Sequence, residues 1–260
     1  MRIDKYLTIN NFSESRNKAV NLLLSGLVKV NGITITKPSF EVTENDSITV
    51  TEQKQYVARS AYKLITAIKK FDLSFEGKTV VDLGASTGGF CEVMLEHNVK
   101  EIYAVDVGTN QLHRKILNNK AVINFENTNA RYINSNTFPK TIDLITCDLS
   151  FISLKLILKS AYDTLKFNGE FICLIKPQFE AGAKFLTKKG VVKDKTIRAM
   201  IVYEISLMAL EVGFDIIDVC FSGLEGESGN IEYLMYMIKR TKKNGITPTE
   251  VKFKILNGEK

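Results

Sequence analysis

The sequence predicts an α/β protein in which a doubly wound, mainly parallel sheet follows a small N-terminal α+β domain. From residue 79 onward, apolar strand-like runs alternate with helical patterns, which is typical of a parallel sheet covered by helices. The first of these runs, residues 79–90, passes through a glycine-rich turn into an apolar helix. Residues 1–50 instead show one helical pattern followed by short strand-like segments. We therefore expect two domains, residues 1–50 and 59–260, joined by a polar linker at residues 51–58.

The composition is that of an ordinary globular protein with a basic surface. The 260 residues are 45% hydrophobic and 25% charged, enough for one sizeable core and a small module. The net charge of +6 favours a polyanionic partner, although simple solubility explains it too. The start of the chain is charged and no stretch approaches 18 apolar residues, so we expect a cytoplasmic protein without a membrane partner. The cysteines lie singly in apolar stretches, which predicts buried thiols and neither disulfides nor a metal site: Cys91, Cys147, Cys173 and Cys220.

The N-terminal segment is typical of a compact module of helix and short strands. A helical pattern around Ala19 ends at Gly26, and Asn31-Gly32 marks a hairpin between the strands that follow. Basic residues outnumber acidic ones before Pro38, which predicts one positive face. Such a face suits contact with phosphates, because each bound Lys or Arg releases counterions; a solvated charged face is the alternative.

The glycine-rich turn after the first strand of the larger domain predicts a nucleotide-like ligand. Its pattern is D-x-G-x-x-x-G-G and not the dinucleotide G-x-G-x-x-G, and the carboxylate of Asp82 would repel a pyrophosphate. Asp82 instead suits the amino group of S-adenosylmethionine. Asp106 ends the next strand, where a carboxylate can accept both ribose hydroxyls. The alternative is that the glycines form only a turn, and the spacing of Asp106 argues against it.

Charged residues at the ends of later strands predict a reaction centre. Asp148 and Lys176 close the fourth and fifth predicted strands, and Glu232 enters the last one. These positions face the crevice where doubly wound sheets bind ligands, and charges there are costly unless paired or used; an ordinary ion pair is the alternative. Lys63 lies just off the apolar face of the helix before the cofactor strand, from which it could overhang the crevice. A neutral lysine could take the proton of a ribose 2′-hydroxyl held in line with a sulfonium methyl group.

Four separated submotifs in the first fifty residues resemble the alpha-L RNA-binding motif, named after ribosomal protein S-four. They are R-I-D-K-Y-L, S-E-S-R-N-K-A, G-L-V-K-V-N-G and K-P-S. The resemblance implies structured RNA as the partner. It also implies a set of RNA contacts: Arg2, Ser15, Arg16 and Lys18.

The motifs of the larger domain resemble the FtsJ-like ribose 2′-O-methyltransferases, which have the Rossmann-like class I methyltransferase fold. They are YVARSAYKL, TVVDLGASTGGF, CDLSFIS, IKPQFEAG and SGNIEYL. The resemblance implies that Lys176 is the central catalytic lysine, that Lys63 and Asp148 assist it, and that Glu232 completes the set. For S-adenosylmethionine it implies these contacts: Asp82, Gly84, Ala85, Ser86, Gly88, Asp106, Asn129 and Asp148.

With both parts together, the entire chain resembles the TlyA family, which is often labelled hemolysin and methylates cytidine 2′-hydroxyls of ribosomal RNA. The resemblance implies ribosomal RNA or a ribosomal subunit as the substrate. The short chain is similar to the subtype associated with large-subunit RNA, small-subunit RNA stays open as a further substrate, and we expect a monomer. One departure is Ala58, since members commonly have Tyr-Val-Ser-Arg where this chain has Tyr-Val-Ala-Arg.

Two basic segments follow the predicted strand that ends at Lys176. Residues 183–198 suggest a loop that grips phosphates through Lys188 and Lys189, with a solvated loop as the alternative. In the tail after Lys239, KFKIL fits an edge strand protected by lysines. Two other functions stay open: a non-catalytic RNA-binding or ribosome-assembly protein on the same scaffold, and a membrane-lytic protein, which the absence of a long apolar segment disfavours.

Overall fold

The chain divides into two compact units, Met1–Gln55 and Tyr56–Lys260. The structure, a computed structural model, describes residues 1–24, 26–50 and 56–258. Of the predicted linker, residues 51–55 lie outside the described residues. Each unit has a hydrophobic core built from its own side chains.

The first unit combines two helices with a three-stranded antiparallel sheet. Its elements are α1 (Ile3–Ile9), α2 (Arg16–Leu24), β1 (Val28–Val30), β2 (Ile33–Thr34) and β3 (Ile48–Val50), with strand order β2-β1-β3. Asn31 and Gly32 have φ angles of 51° and 82°, as a two-residue turn between β1 and β2 requires, and this confirms the predicted hairpin. The core contains side chains from both helices, from the sheet and from the segment before β3: Ile3, Leu7, Ala19, Leu23, Val28, Val30 and Val42.

The second unit is built on a seven-stranded sheet. Its strands are β4 (Thr79–Leu83), β5 (Glu101–Val105), β6 (Val122–Phe125), β7 (Ile142–Cys147), β8 (Leu165–Ile175), β9 (Phe214–Phe221) and β10 (Tyr233–Lys239). They are ordered β6-β5-β4-β7-β8-β10-β9, and β10 runs antiparallel to both of its neighbours. The strand order reverses between β4 and β7, so a crevice opens at their carboxyl ends, where doubly wound sheets bind ligands. The predicted fold class is confirmed.

Helices cover both faces of this sheet. They are α3 (Ala61–Phe71), α4 (Gly89–Glu96), α5 (Arg114–Leu117), α6 (Leu158–Thr164), α7 (Pro177–Glu180), α8 (Lys195–Val212) and α9 (Pro248–Asn257). Val80 packs in one core with α3 and α4, while Val81 packs in another with α6, α8 and α9, because successive strand side chains point to opposite faces. Within the described ranges, no helix combines the length and the apolar character needed to cross a membrane.

The two helices after the basic loop each begin at a capping side chain. Asp194 caps α8 by accepting the N–H groups of Thr196 and Ile197, and Gly213 ends the helix with a φ of 117°, as its sequence signals indicate. The expectation of an edge strand at KFKIL is wrong, since this segment lies in α9. Thr247 and Glu250 form a capping box there, and this helix-start signal outweighs the strand-like alternation.

Candidate active site

Charged side chains from four elements meet at the carboxyl edge of the parallel strands. Asp148 directly follows β7, and Lys176 directly follows β8. Glu232 precedes β10, whose antiparallel pairing sets Tyr233 opposite the last residue of β8 and so brings Glu232 to the same edge. Lys63 comes from the first turn of α3. The structure thus brings together the four residues that the sequence singled out for catalysis.

The four side chains form a chain of alternating charges. Lys63 Nζ lies 2.7 Å from Glu232 Oε2 and 3.8 Å from Asp148 Oδ2. Lys176 Nζ lies 2.6 Å from Asp148 Oδ1. Asp148 therefore bridges the two lysines, with each carboxylate oxygen facing a different amine.

This cluster is almost completely shielded from solvent. The side chains of Lys63 and Asp148 are each 12% exposed, that of Lys176 is 9% exposed and that of Glu232 is 3% exposed. An unpaired charge at this depth would cost several kcal/mol, and here two positive groups offset two negative ones. Asp148 and Lys176 line the pocket beside the glycine loop, so a ligand in that pocket would contact both.

Two neutral residues that sequence reasoning missed complete the cluster. Lys176 Nζ donates a hydrogen bond to Ser150 Oγ at 2.8 Å, and Gln178 Nε2 donates to Glu232 Oε1 at 3.0 Å. Each lies two positions after a charged residue at a strand end. Polar residues are common at such loop positions, so the spacing alone does not indicate a functional role. The 2.6 Å contact of Lys176 Nζ with Asp148 Oδ1 is an ion pair, and among the described residues that oxygen accepts no hydrogen bond.

The glycine loop packs directly on the backbone of this cluster. Gly84 has a φ of +80°, and a Cβ atom there would lie 2.8 Å from the carbonyl oxygen of Asp148. Gly88 has a φ of +93° and caps the start of α4. Both positions are in the left-handed region that favours glycine. The loop and the end of β7 approach each other this closely only because residue 84 has no side chain.

Asp106 is held at the rim of the glycine loop by backbone groups. Its carboxylate oxygens accept the N–H groups of Ser86 and Gly108, each at 2.9 Å. These bonds use two of about four lone-pair sites of a carboxylate. The remaining lone pairs can accept hydroxyl groups of a ligand.

Asp82 is buried inside β4, beneath the same loop. It accepts hydrogen bonds from the Thr146 hydroxyl at 2.7 Å and from the Cys91 thiol at 3.2 Å. Burial raises the pKa of Asp82 to about 6, and the two hydrogen bonds oppose that rise only in part. A cationic ligand group beside it would favour its ionised form.

The pocket beside the glycine loop connects these parts. Its lining consists of Ala58, Ser60, Asp82, Gly84, Ala85, Ser86, Thr87, Phe90, Asp148, Ser150 and Lys176. Two carboxylates against one amine suit a cationic ligand and disfavour a pyrophosphate. Three predicted cofactor residues lie outside this described lining: Gly88, Asp106 and Asn129. Asn129 instead caps the short 3-10 helix Ala130–Tyr132 by accepting the N–H of Arg131.

Comparison with known proteins decides the family. Residues 56–239 match the family described as FtsJ-like methyltransferase. The chain belongs to the FtsJ-like methyltransferase family. Residues 1–48 match the S4 domain, so the first unit contains an S4 domain and the second a methyltransferase domain. The family resemblances drawn from the motifs are confirmed.

Relatives match over nearly the whole chain. Hemolysin A of Brachyspira hyodysenteriae is 38% identical, with 92% of this chain and 100% of the relative covered. The 16S/23S rRNA (cytidine-2′-O)-methyltransferase TlyA of Mycobacterium tuberculosis is 35% identical, with 92% and 90% covered. The solved structure of a Streptococcus thermophilus protein described as a hemolysin has a TM-score of 0.75 and 34% identity, and the match covers 98% of this chain and 94% of that one.

The methyltransferase domain exposes the aromatic ring of the residue that follows Ser150. Phe151 is 89% exposed and has a φ of 61°, and its ring centroid lies 5.0 Å from that of Phe179. A positive φ is costly for a bulky residue, and strain of this kind is concentrated at functional sites. Phe151 directly follows Ser150, which contacts Lys176. Sequence reasoning missed this ring, because an isolated phenylalanine in a strand-to-helix segment is normally buried.

The predicted RNA contacts of the S4 domain are centred on a buried carboxylate. Arg2 donates to Asp4 through Nε at 3.1 Å and Nη2 at 3.0 Å, and Arg16 donates through Nε at 2.9 Å. Burial opposes the ionisation of Asp4, but the two guanidinium groups outweigh it and lower the pKa of Asp4. The arginine side chains remain 47% and 58% exposed, so Asp4 orients them without covering them.

The other predicted RNA contacts are all on exposed loops or helix ends. Ser15 precedes α2, where its hydroxyl accepts the N–H of Lys18, and the Lys18 side chain pairs with Glu14. Lys188 and Lys189 are exposed and line a second pocket of the methyltransferase domain. These placements leave all four side chains accessible to a large ligand.

Proposed function

We propose that this chain transfers the methyl group of S-adenosylmethionine to the 2′-hydroxyl of a cytidine ribose in ribosomal RNA, with large-subunit RNA as the substrate and small-subunit RNA as a second candidate. The observation that carries the proposal is Lys176, a nearly buried amine held by Asp148 and Ser150 at the wall of the cofactor pocket. The name of the M. tuberculosis relative supports the substrate and the position of methylation.

The residues of the pocket fit S-adenosylmethionine. Its sulfonium and ammonium groups are cationic, and the pocket presents Asp82 and Asp148. Asp106, oriented by two backbone N–H groups, would accept the ribose hydroxyls. When bound, this cofactor supplies an electrophilic methyl group on sulfur.

Lys176 acts as the general base in this proposal. In its neutral form it accepts the proton of the 2′-hydroxyl while the oxygen–carbon bond forms and the carbon–sulfur bond breaks. Positive charge develops on Nζ, and Asp148, 2.6 Å away, stabilises the ammonium that results. A base placed in this way contributes about 10²- to 10⁴-fold in rate.

Lys63 and Glu232 position Asp148 and balance its surroundings. Lys63 attracts the second oxygen of Asp148, and Glu232 compensates the charge of Lys63. Gln178 in turn fixes the other oxygen of Glu232. The carboxylate of Asp148 is therefore held in one orientation before the substrate arrives, which reduces the reorganisation needed for reaction.

Two surfaces suit an RNA substrate. The exposed ring of Phe151 beside Lys176 can stack on an unpaired base, which is how proteins commonly hold single-stranded RNA. In the S4 domain, Arg2 and Arg16 present guanidinium groups already oriented by Asp4 for phosphate contact. We propose that the S4 domain supplies much of the affinity for RNA and that the methyltransferase domain selects the ribose.

Replacing Lys176 tests the proposal. We expect Lys176→Ala to lower tritium transfer from labelled S-adenosylmethionine to large-subunit RNA by about 10²-fold or more, because the base is lost. Calorimetry should show cofactor affinity within about threefold of wild type, since an uncharged wall does not repel a cation. Lys120→Ala is the matched control, because Lys120 is exposed at the opposite, amino edge of the sheet.

The outcomes separate the candidate functions. Turnover retained in Lys176→Ala would remove the base from the mechanism. RNA binding by the wild type without any transfer would favour the non-catalytic alternative. Arg16→Ala should weaken RNA binding and leave cofactor binding unchanged, which tests the S4 domain separately. Mass spectrometry of the digested product RNA would then identify the methylated nucleoside and show whether it is cytidine.

A further inference from the structure

The methyltransferase domain has a second pocket, which the proposed reaction does not use. It has a volume of about 580 Å³, within the roughly 300–1,000 Å³ typical of small-molecule sites. Its lining consists of Thr187, Lys188, Lys189, Val191, Val192, Lys193, Arg198, Ser228, Gly229 and Ile231. Four of these residues are cationic, and the described lining contains no acidic residue. The pocket is therefore a site of positive potential.

Arg198 is the unusual member of this lining. It is only 7% exposed, whereas the three lysines are at the surface. Its Nε donates to the Tyr233 hydroxyl at 3.0 Å, and Nη1 donates to the carbonyl oxygens of Val192 at 3.1 Å and Lys193 at 2.6 Å. Those bonds fix the orientation of the guanidinium plane. The residue is thus a rigid part of the pocket wall.

The guanidinium of Arg198 is not fully satisfied by the protein. Of its five N–H groups, the two on Nη2 have no partner among the described residues, and none of the described carboxylates lies within 4.0 Å of it. Arginine is almost never this deeply buried without an anionic partner, because the charge loses its hydration. A buried cation with a free donor edge in an open pocket points to an anionic ligand.

The chemistry of the lining indicates which anion fits. A guanidinium fork together with three ammonium groups matches the geometry and charge of a phosphate. Val191, Val192 and Ile231 add an apolar surface that a sugar or a base can cover. The pocket also shares a segment with the catalytic cluster, since Ile231 and Tyr233 flank Glu232. A nucleotide bound here would contact the segment that carries Glu232.

We infer that this pocket binds a phosphate of the RNA strand together with the adjoining nucleotide, one that neighbours the methylated ribose, with Arg198 as the fixed anchor and Lys188 and Lys189 as further phosphate contacts. This inference rests on the proposed function. A free nucleotide offers the same chemistry, so the test must distinguish the two sources.

Titration of the full-length protein followed by NMR tests the site. The Arg198 Nε–H signal, identified by its loss in Arg198→Lys, should shift with inorganic phosphate and with cytidine 5′-monophosphate but not with cytidine. A single-stranded RNA fragment that spans the methylated position should displace the monophosphate. Absence of any shift with the two phosphates would overturn the site. Simultaneous binding of the RNA and the monophosphate would overturn the RNA assignment in favour of a free nucleotide.

The salt dependence of RNA binding is a second test of this pocket. Removing one phosphate contact lowers the slope of log K against log salt by about 0.7 for a single strand, so we expect this change in Lys189→Ala. Arg198→Lys should weaken monophosphate binding about fivefold or more, because the fork geometry is lost while the charge stays. Lys120→Ala should change neither quantity. Thermal melting checks that each variant is folded. If Arg198→Lys does not fold, Lys189→Ala still tests the site.

Different experimental results would refute the proposed function and the pocket inference. If the wild type binds the RNA and the monophosphate but transfers no methyl group, the proposed function fails and the pocket stands. If methyl transfer occurs while Lys189→Ala and Arg198→Lys match Lys120→Ala in RNA affinity and slope, the pocket inference fails and the proposed function stands.

Discussion

The close contact between Gly84 and the end of β7 makes a sharp prediction about Gly84→Ala. The added methyl group would lie 2.8 Å from the carbonyl oxygen of Asp148 and 3.0 Å from the Leu149 side chain. The same residue would also have to keep a φ of +80°. Either the loop or the backbone of Asp148 must shift, and both form the cofactor pocket. We therefore expect this substitution to reduce stability and cofactor binding together.

The magnitude follows from two separate costs. A left-handed backbone costs a non-glycine residue about 1–2 kcal/mol. Overpacking at a closed site costs about 1–3 kcal/mol more. The free energy of unfolding should therefore fall by about 2–5 kcal/mol. The affinity for S-adenosylmethionine should fall as well, because the wall that carries Asp148 is displaced.

Two other glycines separate these costs. Gly77 has a φ of +69° and no atom within 4 Å of the place that an added Cβ would take, so Gly77→Ala should show the backbone cost alone. Gly182 has a φ of −65° and also has open space, so Gly182→Ala should change stability by less than about 0.5 kcal/mol. Urea unfolding measures all three variants, and calorimetry measures cofactor affinity. If Gly84→Ala costs no more than Gly77→Ala and binds the cofactor normally, the close-approach argument is refuted.

Three further predictions concern the active site. Glu232→Gln leaves Lys63 Nζ with Asp148 at 3.8 Å as its acidic partner, so the unfolding free energy in urea should fall by about 3 kcal/mol; a change below about 0.5 kcal/mol would contradict the pairing. Phe151→Ala should raise the KM for RNA about 5- to 100-fold, with unchanged cofactor affinity, if the ring stacks on a base; an unaltered KM would remove that role. The pKa of Asp82 is raised to about 6, so the free protein loses this negative charge as the pH falls through 6. Calorimetry should then show cofactor affinity weakening by up to about tenfold per pH unit below pH 6, and a flat profile would show that Asp82 does not face the cationic group.

The sequence was sufficient for those features that depend on strand ends. Asp148 and Lys176 each close an apolar run, and a parallel sheet necessarily brings such residues to one edge. The hairpin at Asn31-Gly32 was predictable for a similar reason, because its backbone angles are local. In both cases a single geometric rule is enough to derive the structure from the sequence pattern.

Other features depend on contacts that no local pattern encodes. Arg198 lies within a helix, where arginine is usually solvated, and only the packing of β10 and the loop before α8 buries it. Ser150 and Gln178 are neutral. The cost of burying a charge, which marks Asp148 and Lys176 in the sequence, therefore does not mark these two residues. The edge strand expected at KFKIL is wrong for a different reason, since the helix-start signal lies outside that segment, at Thr247.

The reversed direction of β10 explains why the cluster of Lys63, Asp148, Lys176 and Glu232 has as many acidic as basic side chains. If β10 ran parallel to β8, the residue before it would lie at the opposite edge of the sheet. Lys63 and Lys176 would then share Asp148 alone, leaving one positive charge in excess in a region where the side chains are 12% exposed or less. The antiparallel pairing of Tyr233 with Ile175 prevents this by delivering Glu232 beside Lys63. The charge balance around the proposed base is therefore a consequence of sheet topology, and a change that shifts the β8–β10 register by one residue should impair catalysis even with all four side chains present.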